Sequence, residues 1–427
     1  MTRPLLHALG GLLAAASLLS LPGCGSGSGD DDAPAGDPVV EGGWVENRAG
    51  LWTVARDRSA PGIAELSYAR GYEPAGDELG VTLHLRGRAQ DGVNLLCSGH
   101  AAEAFLFDMD GEVLHTWSFD YGSIPGAPPL DGPHQDCWRR VRMLPDGGLL
   151  AMYGGRGLVR LDRDSNLLWH FDERAHHDLE LLADGGVLTL TRAERLVPGV
   201  NPDRAVIDDF VVELSPDGEV RSRTSVLDAL LGSTEGARAL RGRGLEGDVL
   251  HTNSLRLLGD AHPGAPAAFR PGAWLLCARD MDLVFVLDPW SRRVVWSRTG
   301  PWSAPHDPRL VGEDRVLLFD NLGASSPDAP ASRLVEFSPS TGEVHWEWRA
   351  EPSSAFFSRF CGAAVRLENG NTLVSETGAG RAFELDPDGQ VVWSFSSPHR
   401  AGPNDRLVAA LFELERLPAS AAAWLED

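Results

Sequence analysis

The sequence predicts an all-β fold, a six-bladed β-propeller with four-stranded blades. A strand–turn–strand pattern recurs six times, starting at residues 105, 158, 211, 284, 334 and 382. A second hairpin pattern is interleaved with the first, so that each repeat contains four strands. Successive starts lie 53, 53, 73, 50 and 48 residues apart. A period near fifty residues with four strands per period is typical of propellers.

The first pattern alternates apolar and polar residues on both sides of a D-x-D-G or S-P-D-G turn. Such alternation predicts two half-buried strands, and the turn supplies the positive φ that a tight hairpin needs. Its clearest copies are FLFDMDGEVLHTW from Phe105 and AFELDPDGQVVWSF from Ala382. Five copies end in a tryptophan at the same place: Trp117, Trp169, Trp296, Trp346 and Trp393.

The second pattern forms the other hairpin of each repeat. Its copies are RRVRMLPDGGLLAMYG from Arg139, HDLELLADGGVLTLTR from His177, HDPRLVGEDRVLLFDN from His306 and GAAVRLENGNTLVSET from Gly362. A degenerate copy runs from His251 to Arg279, and an insertion around 227–247 explains the one long interval.

The N-terminus is interpreted as a lipoprotein signal peptide, residues 1–23. An apolar Ala/Leu-rich stretch follows Arg3 and is too short for a lasting membrane span. It ends at Leu21 to Cys24, which resembles a bacterial lipobox with Cys24 as the lipidated residue. We therefore expect an exported protein, lipid-anchored in the periplasm or at the outer membrane. Residues 24–43 are rich in Gly, Ser, Asp and Pro and predict a flexible linker.

The propeller is expected to span residues 44–400, followed by a C-terminal tail over 401–427. Residues 44–99 are strand-like but less regular, and we expect them to supply strands that close the ring, because open sheet edges must be covered. In an oxidising compartment one or two disulfides could form among Cys97, Cys137, Cys277 and Cys361, with a pairing that the sequence does not define.

Composition excludes several classes of function. The formal net charge is −23, which argues against nucleic acid or an anionic membrane surface as partners, since both require a basic face. The chain contains no lysine, so a phosphate-binding loop that depends on lysine is excluded. An anionic substrate would need a locally positive pocket built from arginine and histidine.

Such a pocket is predicted by the repeat itself. Aligned on their turns, the second hairpins place Arg139, His177, His306 and Gly362 at one position, with His251 near it. Equivalent positions of successive blades face one another across a propeller axis, so these side chains should converge. Arg279 ends a strand equivalent to the one that ends at Arg192, and it should lie at the same level.

The sequence resembles the bacterial arylsulfate sulfotransferases, PAPS-independent six-bladed propellers, over roughly residues 70–400. The segments that carry the resemblance are HHDLELLADGGVL from His176, HTNSL from His251, LLCARDMD around Arg279 and HDPRLVGEDRVLLFDN from His306. The resemblance implies that His306 takes up the sulfuryl group, while His177, His251 and Arg279 line the site. The family often has glutamine before the nucleophilic histidine, where this chain has Pro305.

These residues predict an aryl sulfate sulfotransferase that moves a sulfuryl group from a phenolic sulfate ester to a phenol through a sulfohistidine. Sulfuryl transfer resembles phosphoryl transfer, in which positioning and hydrogen-bond donors supply most of the catalysis. Arg139, His176 and Asn321 are expected to bind or orient the substrate. The expected partners are a small aryl sulfate and a phenol, with no cofactor and no metal.

Two other classes of function remain open at this stage. His176, His177 and Asp178 could help to hold zinc or manganese in a metal-dependent propeller enzyme. Alternatively, the chain could be a non-catalytic propeller lipoprotein that binds a ligand or partner, because a fold alone does not define an activity. Quinoprotein-like propellers share the Trp-ended repeat, but they carry a more regular Gly-Trp pattern.

Overall fold

The computed structural model describes residues 44–46, 51–54, 70–127, 129, 136–241, 245–259, 262 and 264–426. Within these residues the chain is mostly β, because the alternating apolar segments form antiparallel strands on either side of glycine-containing turns. Six sheets contain four or five strands each, and we number them along the chain.

Sheets 1 to 3 comprise the following strands, given from the innermost outwards. Sheet 1 contains Leu411–Leu417, Val93–Ser98, Glu103–Phe107 and Val113–Ser118. Sheet 2 contains Trp138–Met143, Leu149–Tyr153, Gly157–Leu161 and Leu167–Phe171. Sheet 3 contains His176–Leu181, Val187–Val197, Asn201–Leu214 and Val220–Ser225, with the short strand Gly247–Asp248 parallel to Asn201–Leu214.

Sheets 4 to 6 repeat the same antiparallel order. Sheet 4 contains Thr252–Leu257, Trp274–Ala278, Leu283–Asp288 and Arg293–Thr299. Sheet 5 contains His306–Gly312, Arg315–Asp320, Arg333–Phe337 and Val344–Trp348. Sheet 6 contains Ala363–Arg366, Thr372–Glu376, Arg381–Leu385, Val391–Ser396 and Gly80–His84.

The remaining described elements are short. Trp44–Glu46 pairs with Trp52–Val54, and Gly71–Pro74 forms a small sheet with Leu407–Ala409 and Arg400–Ala401. Two α-helices, Val226–Leu231 and Thr234–Leu240, occupy the segment that the sequence marked as an insertion. The 3₁₀ segments are Tyr121–Ser123, Arg279–Met281, Ser353–Ala355, Pro403–Asp405 and Ala419–Glu426.

Tryptophans of the outermost hairpins connect neighbouring sheets. In five cases an indole N–H donates to a backbone carbonyl in a turn of the next sheet, at 2.8–3.1 Å. The pairs are Trp117 with Gly147, Trp169 with Pro216, Trp296 with Pro339, Trp348 with Gly389, and Trp393 with Met109. In sheet 5 the donor is Trp348, two residues beyond Trp346, which the repeat had aligned with the other four. The repeated tryptophan therefore joins one sheet to the next.

The innermost strands also contact one another in sequence. Contacts run from Leu411–Leu417 to Trp138–Met143, then through His176–Leu181, Thr252–Leu257 and His306–Gly312 to Ala363–Arg366. Leu411–Leu417 contacts Thr372–Glu376 of sheet 6 as well. The first residues of these strands are thereby brought near one another.

The prediction of a tail over 401–427 is wrong for most of that segment. Leu411–Leu417 pairs with Val93–Ser98 and forms the innermost strand of sheet 1. Its apolar residues are buried, and Trp424 beyond it packs against Trp117. At the other end, Gly80–His84, from the segment 44–99, pairs with Val391–Ser396 as the outermost strand of sheet 6.

Buried ion pairs link the innermost strands of five sheets. The Arg256 guanidinium lies 3.0 Å from Asp178 Oδ2, 2.6 Å from Glu180 Oε1 and 2.5 Å from Asp307 Oδ1. Arg140 lies 3.2 Å from Asp178 Oδ1 and 3.2 Å from Glu413 Oε1. The carboxylates are acceptors for several guanidinium groups at once, which is the arrangement that buried charges require. Sheets 1 to 5 are connected through this network.

The signal peptide (1–23), the linker (24–43) and Cys24 lie outside the described residues. None of the helices in the described ranges is both long and apolar enough to cross a membrane. The four cysteines of the described part, Cys97, Cys137, Cys277 and Cys361, are free thiols, so none of the possible disulfides is formed among them.

Candidate active site

A polar cavity lies where the innermost strands begin. Its lining residues come from all of sheets 1 to 6, and they are Arg139, Arg140, His177, Asn253, His306, Asp307, Cys361, Gly362 and Phe412. Each of these residues lies at the start of an innermost strand or just before it. The repeat thus brings three of the predicted site residues, Arg139, His177 and His306, to one cavity.

Irregular strand starts aim these side chains. The pairing of the first two strands is interrupted at Arg139 in sheet 2, after His176 in sheet 3, at Asn253 in sheet 4 and after His306 in sheet 5. A bulge leaves a residue unpaired and redirects its side chain, and such bulges are common near active sites. His177 has a φ of +60° and Asp307 a φ of +50°, left-handed conformations that are uncommon for residues other than glycine.

The bulges correct the alignment made from the sequence. His176 pairs with Leu190 and His306 pairs with Phe319, so by sheet register His306 corresponds to His176 and not to His177. In sheet 3, His177 and Asp178 have no opposite residue, whereas in sheet 5 Asp307 and Pro308 lie opposite the single residue Leu318. The bulge of sheet 5 thus has one extra residue where that of sheet 3 has two, which accounts for the shift by one position. Both His177 and His306 still reach the cavity.

His306 is held in one orientation and one tautomer. Its Nδ1 lies 2.7 Å from Asn321 Oδ1 and 3.1 Å from the carbonyl oxygen of Ala304. The amide nitrogen of Asn321 donates to the carbonyls of Ser358 and Cys361, so Asn321 Oδ1 can only face His306. Nδ1 must therefore carry the proton. Nε2 then has a lone pair, and it accepts the backbone N–H of Cys361 at 3.2 Å.

Burial keeps His306 neutral. Desolvation, followed by the charge of Arg279, lowers the pKa of His306 to about 3. The hydrogen-bond partner of Nδ1 is a neutral amide, which gives no compensating negative charge. Nε2 is consequently unprotonated throughout the range from weakly acidic to alkaline pH.

His251 has a different partner, the buried carboxylate of Asp248. Its Nδ1 lies 2.6 Å from Asp248 Oδ2, and its backbone N–H donates to Oδ1 of the same carboxylate. Burial alone would raise the pKa of Asp248, but the attraction of His251 and their hydrogen bond lower it. The short strand Gly247–Asp248, which follows the inserted helices, holds this carboxylate in place. This Asp–His pair has the arrangement of a general acid–base group.

His177 lies between His251 and His176. The rings of His177 and His251 are 4.8 Å apart at 74°, and His177 Nδ1 lies 2.7 Å from His176 Nδ1. On the far side, His176 Nε2 lies 3.3 Å from Asp209 Oδ1. Desolvation lowers the pKa of His177 well below its usual value, and the neighbouring His251 lowers it further. The site therefore holds a continuous row of imidazoles.

Arg279 lies beside this row. Its backbone N–H donates to the carbonyl of His251, and its guanidinium lies 2.8 Å from Asp280 and 5.8 Å from the ring centre of Phe360. Arg139 lies across the cavity, with its guanidinium 3.9 Å from the ring centre of Phe412 and 3.5 Å from Cys361 Sγ. Two cationic side chains thus flank the histidines.

Two predicted substrate-binding residues are placed elsewhere. His176 is 1% exposed and contacts His177 and Asp209, and Asn321 is fully buried with its amide bonded to protein atoms. Neither lines the cavity, so both act as positioning residues for the histidines in front of them. Sequence reasoning missed Asp248, Asp209, Cys361, Phe412 and Arg140, whose only sequence signal is their closeness to residues of the repeat.

The described residues contain no group of three or more His, Cys, Asp or Glu side chains arranged to hold a metal ion. In particular, the Nδ1 atoms of His176 and His177 are directed at each other, and Asp178 is engaged by Arg140 and Arg256. The geometry of these three residues therefore does not match the metal site that the sequence suggested for them.

The low pKa of His306 predicts a pH-dependent stability. Unfolded His306 takes up a proton near pH 6.5 and folded His306 only near 3, so folding becomes less favourable as the pH falls below 6.5. At pH 5 this contribution reaches about 2 kcal/mol. Urea unfolding measures the loss in the free energy of unfolding between pH 7 and pH 5. We expect this loss to be smaller in His306→Gln than in the wild type. Asp208, whose pKa burial raises to about 6, acts in the opposite direction, and it is unchanged in this comparison.

An equal loss of stability in the wild type and in His306→Gln between these two pH values would contradict the neutral state of His306. The variant His345→Gln changes an exposed histidine and serves as the control.

The fold and the site together define a β-sheet protein with histidines and arginines gathered at the starts of its innermost strands. A model of the arylsulfotransferase (ASST) family matches residues 140–398, more than half of the chain. The chain belongs to the arylsulfotransferase family.

Several solved structures are similar to this chain at low identity. A Bacteroides caccae protein of unknown function is 14% identical with a TM-score of 0.47, covering 76% of this chain and 98% of its own. A streptogramin B lyase is 10% identical with a TM-score of 0.44, covering 82% and 98%. The WD40 β-propeller domain of Doa1 is 11% identical with a TM-score of 0.41, covering 77% and 88%. No curated protein sequence matches the chain.

Proposed function

We propose that this protein is an aryl sulfate sulfotransferase that acts through a sulfohistidine at His306. The observation that carries the proposal is the state of His306: Asn321 Oδ1 fixes the proton on Nδ1, and burial leaves Nε2 unprotonated. A neutral, oriented imidazole is a competent nucleophile. Membership of the arylsulfotransferase family supports the same reaction class.

The proposal includes a closed ring of six blades around the site. It is supported by the six sheets of four or five strands, by the contacts between successive innermost strands, and by the strand Leu411–Leu417, which contacts both sheet 2 and sheet 6. The Trp393 indole donates from sheet 6 to Met109 of sheet 1, which supports closure at the outer edge.

In the first half-reaction His306 Nε2 attacks the sulfur of the aryl sulfate. The N–S bond forms, the S–O bond to the aryl group breaks, and the phenolate oxygen leaves with the electron pair. His251, protonated and paired with the Asp248 carboxylate, donates its Nε2 proton to that oxygen. The products are a phenol, sulfo-His306 and neutral His251.

In the second half-reaction an acceptor phenol occupies the place of the first. Its hydroxyl proton passes to His251 while its oxygen attacks the sulfur, and the N–S bond breaks with the pair returning to His306 Nε2. The amide partner of Nδ1 gives no negative charge to stabilise the positively charged sulfoimidazole, so this intermediate remains reactive. Both residues end the cycle as they began it.

Hydrogen-bond donors for the sulfuryl oxygens lie around His306. Arg279 is the cation that lowers its pKa most, and the backbone N–H of Cys361 already points at Nε2. Donors placed where charge accumulates contribute most to transfer reactions of this kind. Arg139, which contacts Cys361 Sγ, is proposed to bind the substrate from the opposite side.

The natural substrates are proposed to be a small aryl sulfate and a phenol, without a cofactor. We further propose that the protein is exported and anchored through a lipid on Cys24. Mass spectrometry of the mature N-terminus from membrane fractions would test the anchor, and an unmodified Cys24 in a soluble fraction would contradict it.

The reaction is tested by sulfate exchange between two phenols. 4-Nitrophenyl sulfate is incubated with the protein and phenol, and both 4-nitrophenol release and phenyl sulfate formation are followed. We expect equal amounts of the two products. If 4-nitrophenol is not released and no sulfuryl adduct forms on the protein, the proposal is contradicted and a binding role is left for the cavity.

The thiol of Cys361 gives a second test of the site. Burial raises the pKa of the Cys137 thiol to about 11 and raises the pKa values of Cys97 and Cys277 as well, whereas Cys361 is partly exposed. Iodoacetamide should therefore alkylate Cys361 first among these four and stop turnover, because the added group would fill the cavity at Nε2 of His306.

Peptide mass spectrometry identifies the alkylated cysteine, and Cys361→Ser should retain activity after treatment. Full activity of wild-type protein alkylated at Cys361 would place this thiol away from the reacting atoms.

A further inference from the structure

A second cationic position lies behind His177, at Arg192. This arginine belongs to the strand Val187–Val197, and its side chain is buried, with 6% exposed. Its Nε has no hydrogen-bond partner, and no carboxylate of the described residues lies within ion-pair distance of its guanidinium. By contrast, Arg140, Arg142 and Arg256 on the innermost strands of sheets 2 and 4 each have carboxylate partners.

The carboxylate closest to Arg192 in the sheet register is engaged elsewhere. Arg192 pairs in the backbone ladder with Asp209, but Asp209 Oδ2 accepts the backbone N–H of Thr252 at 2.8 Å and its Oδ1 faces His176. The buried Asp248 carboxylate attracts Arg192 electrostatically but makes no direct ion pair with it. A buried guanidinium that makes no hydrogen bond to a counter-ion is costly, because both its charge and its donors lose water. An anion that enters from the cavity would supply the missing partner.

Arg192 lies beside Arg139 at one turn. Arg139 packs on Gly154, where any larger side chain would overlap it, and Arg192 Nη2 lies 3.3 Å from the position of a side chain at Gly155. These two glycines end the strand Leu149–Tyr153, and Gly155 has a φ of +77°. The side-chain stem of Arg139 and the guanidinium of Arg192 thus lie against the same glycine turn, which carries no side chain.

This pair lies on the His177 side of the site. The charges of Arg139 and Arg192 contribute to lowering the pKa of His177, after burial, His251 and His176, whereas the cation that acts most strongly on His306 is Arg279. In the proposed reaction Arg279 serves the sulfuryl group at His306, which leaves Arg139 and Arg192 for a second oxyanion on the His177 side.

We propose that Arg192, with Arg139 on the Gly154–Gly155 turn, forms a second oxyanion subsite that binds an acidic substituent of the aromatic substrate. The inference rests on the proposed function for its substrate class. It predicts that phenols carrying a carboxylate or a second sulfate are preferred over phenol itself. The alternative occupant of this subsite is the sulfuryl group that is being transferred.

The variant Arg192→Gln removes the charge and keeps most of the side chain, and Arg204→Gln is the matched control, because Arg204 is an exposed arginine paired with Glu246. With 4-nitrophenyl sulfate as donor, kcat/KM is measured for phenol and for 3-hydroxybenzoate as acceptors. We expect Arg192→Gln to lower kcat/KM for 3-hydroxybenzoate about tenfold or more while phenol is nearly unaffected. Arg204→Gln should resemble the wild type for both.

An equal fall for both acceptors would contradict the acidic-substituent assignment and favour the sulfuryl group as the occupant. No change for either would overturn the subsite. Arg192→Lys, which restores the charge, should recover part of the preference, and it serves as the second variant where Arg192→Gln fails to fold.

Binding of inorganic sulfate to the resting protein, measured by calorimetry, separates this inference from the proposed reaction. If Arg192→Gln binds sulfate more weakly and the wild type shows no sulfate exchange, the subsite is supported and the sulfotransferase reaction is contradicted. If the wild type shows sulfate exchange, and Arg192→Gln keeps both its sulfate binding and its acceptor preference, only the subsite is contradicted.

Discussion

Replacement of His306 by alanine is expected to abolish sulfuryl transfer, with a fall in kcat of about 10⁴-fold or more, because no other group can form the covalent intermediate. The imidazole is buried between Asn321, Ala304 and the N–H of Cys361, so no neighbouring histidine can move into its place. The measurement is release of 4-nitrophenol from its sulfate ester under saturating acceptor.

The same variant should also lose the adduct. Brief incubation of wild-type protein with an aryl sulfate, followed by peptide mass spectrometry at neutral to alkaline pH, is expected to show one sulfuryl group on the peptide that contains His306. His345→Ala, at an exposed position in sheet 5, is the control and should keep both activity and adduct. A sulfuryl group on His177 or His251 in wild-type protein would assign the nucleophile to that residue.

The largest expected effect on stability comes from Arg256→Met. This change leaves the carboxylates of Asp178 and Asp307 buried without their principal counter-charge, since they are 0% and 1% exposed. Removing one partner of a buried ion pair costs about 3–5 kcal/mol. We expect a loss of that size in the free energy of unfolding, measured by urea denaturation.

The matched control is Arg204→Met, which breaks the exposed pair of Arg204 and Glu246 and should cost less than about 1 kcal/mol. Adding Asp307→Asn to Arg256→Met should recover part of the loss, because it removes one of the stranded charges. Equal stabilities of Arg256→Met and Arg204→Met would show that the network contributes nothing to folding.

The repeated hairpins could be predicted from sequence because their signals are local. An alternating segment such as that from Phe105 and its turn lie within about a dozen residues, and the strand pairing follows from them. Leu411–Leu417 lacks this alternation, because its apolar residues stand at 411, 412, 414 and 417, and it pairs with Val93–Ser98 more than three hundred residues earlier. Nothing adjacent to it in the chain indicates a partner, so it was assigned to a tail.

The site was predictable at the level of residue types and less so in its geometry. The repeat indicated that His177 and His306 share a cavity, but the number of residues in each bulge depends on packing in three dimensions. The carboxylate of Asp248 is brought to His251 by the end of an insertion without repeat character. Asn321 belongs to the repeat, yet its contact with Nδ1 of His306 becomes apparent only in the structure.

The pairing of Leu411–Leu417 with Val93–Ser98 bears on how the chain acquires its fold during synthesis. Until Leu411–Leu417 has left the ribosome, Val93–Ser98 presents an unpaired backbone edge and buried-type side chains such as Leu95 and Leu96. Exposed edges of this kind invite association with other nascent chains. A holding chaperone should therefore be needed until this strand has been synthesised, and premature termination before residue 411 should yield aggregates.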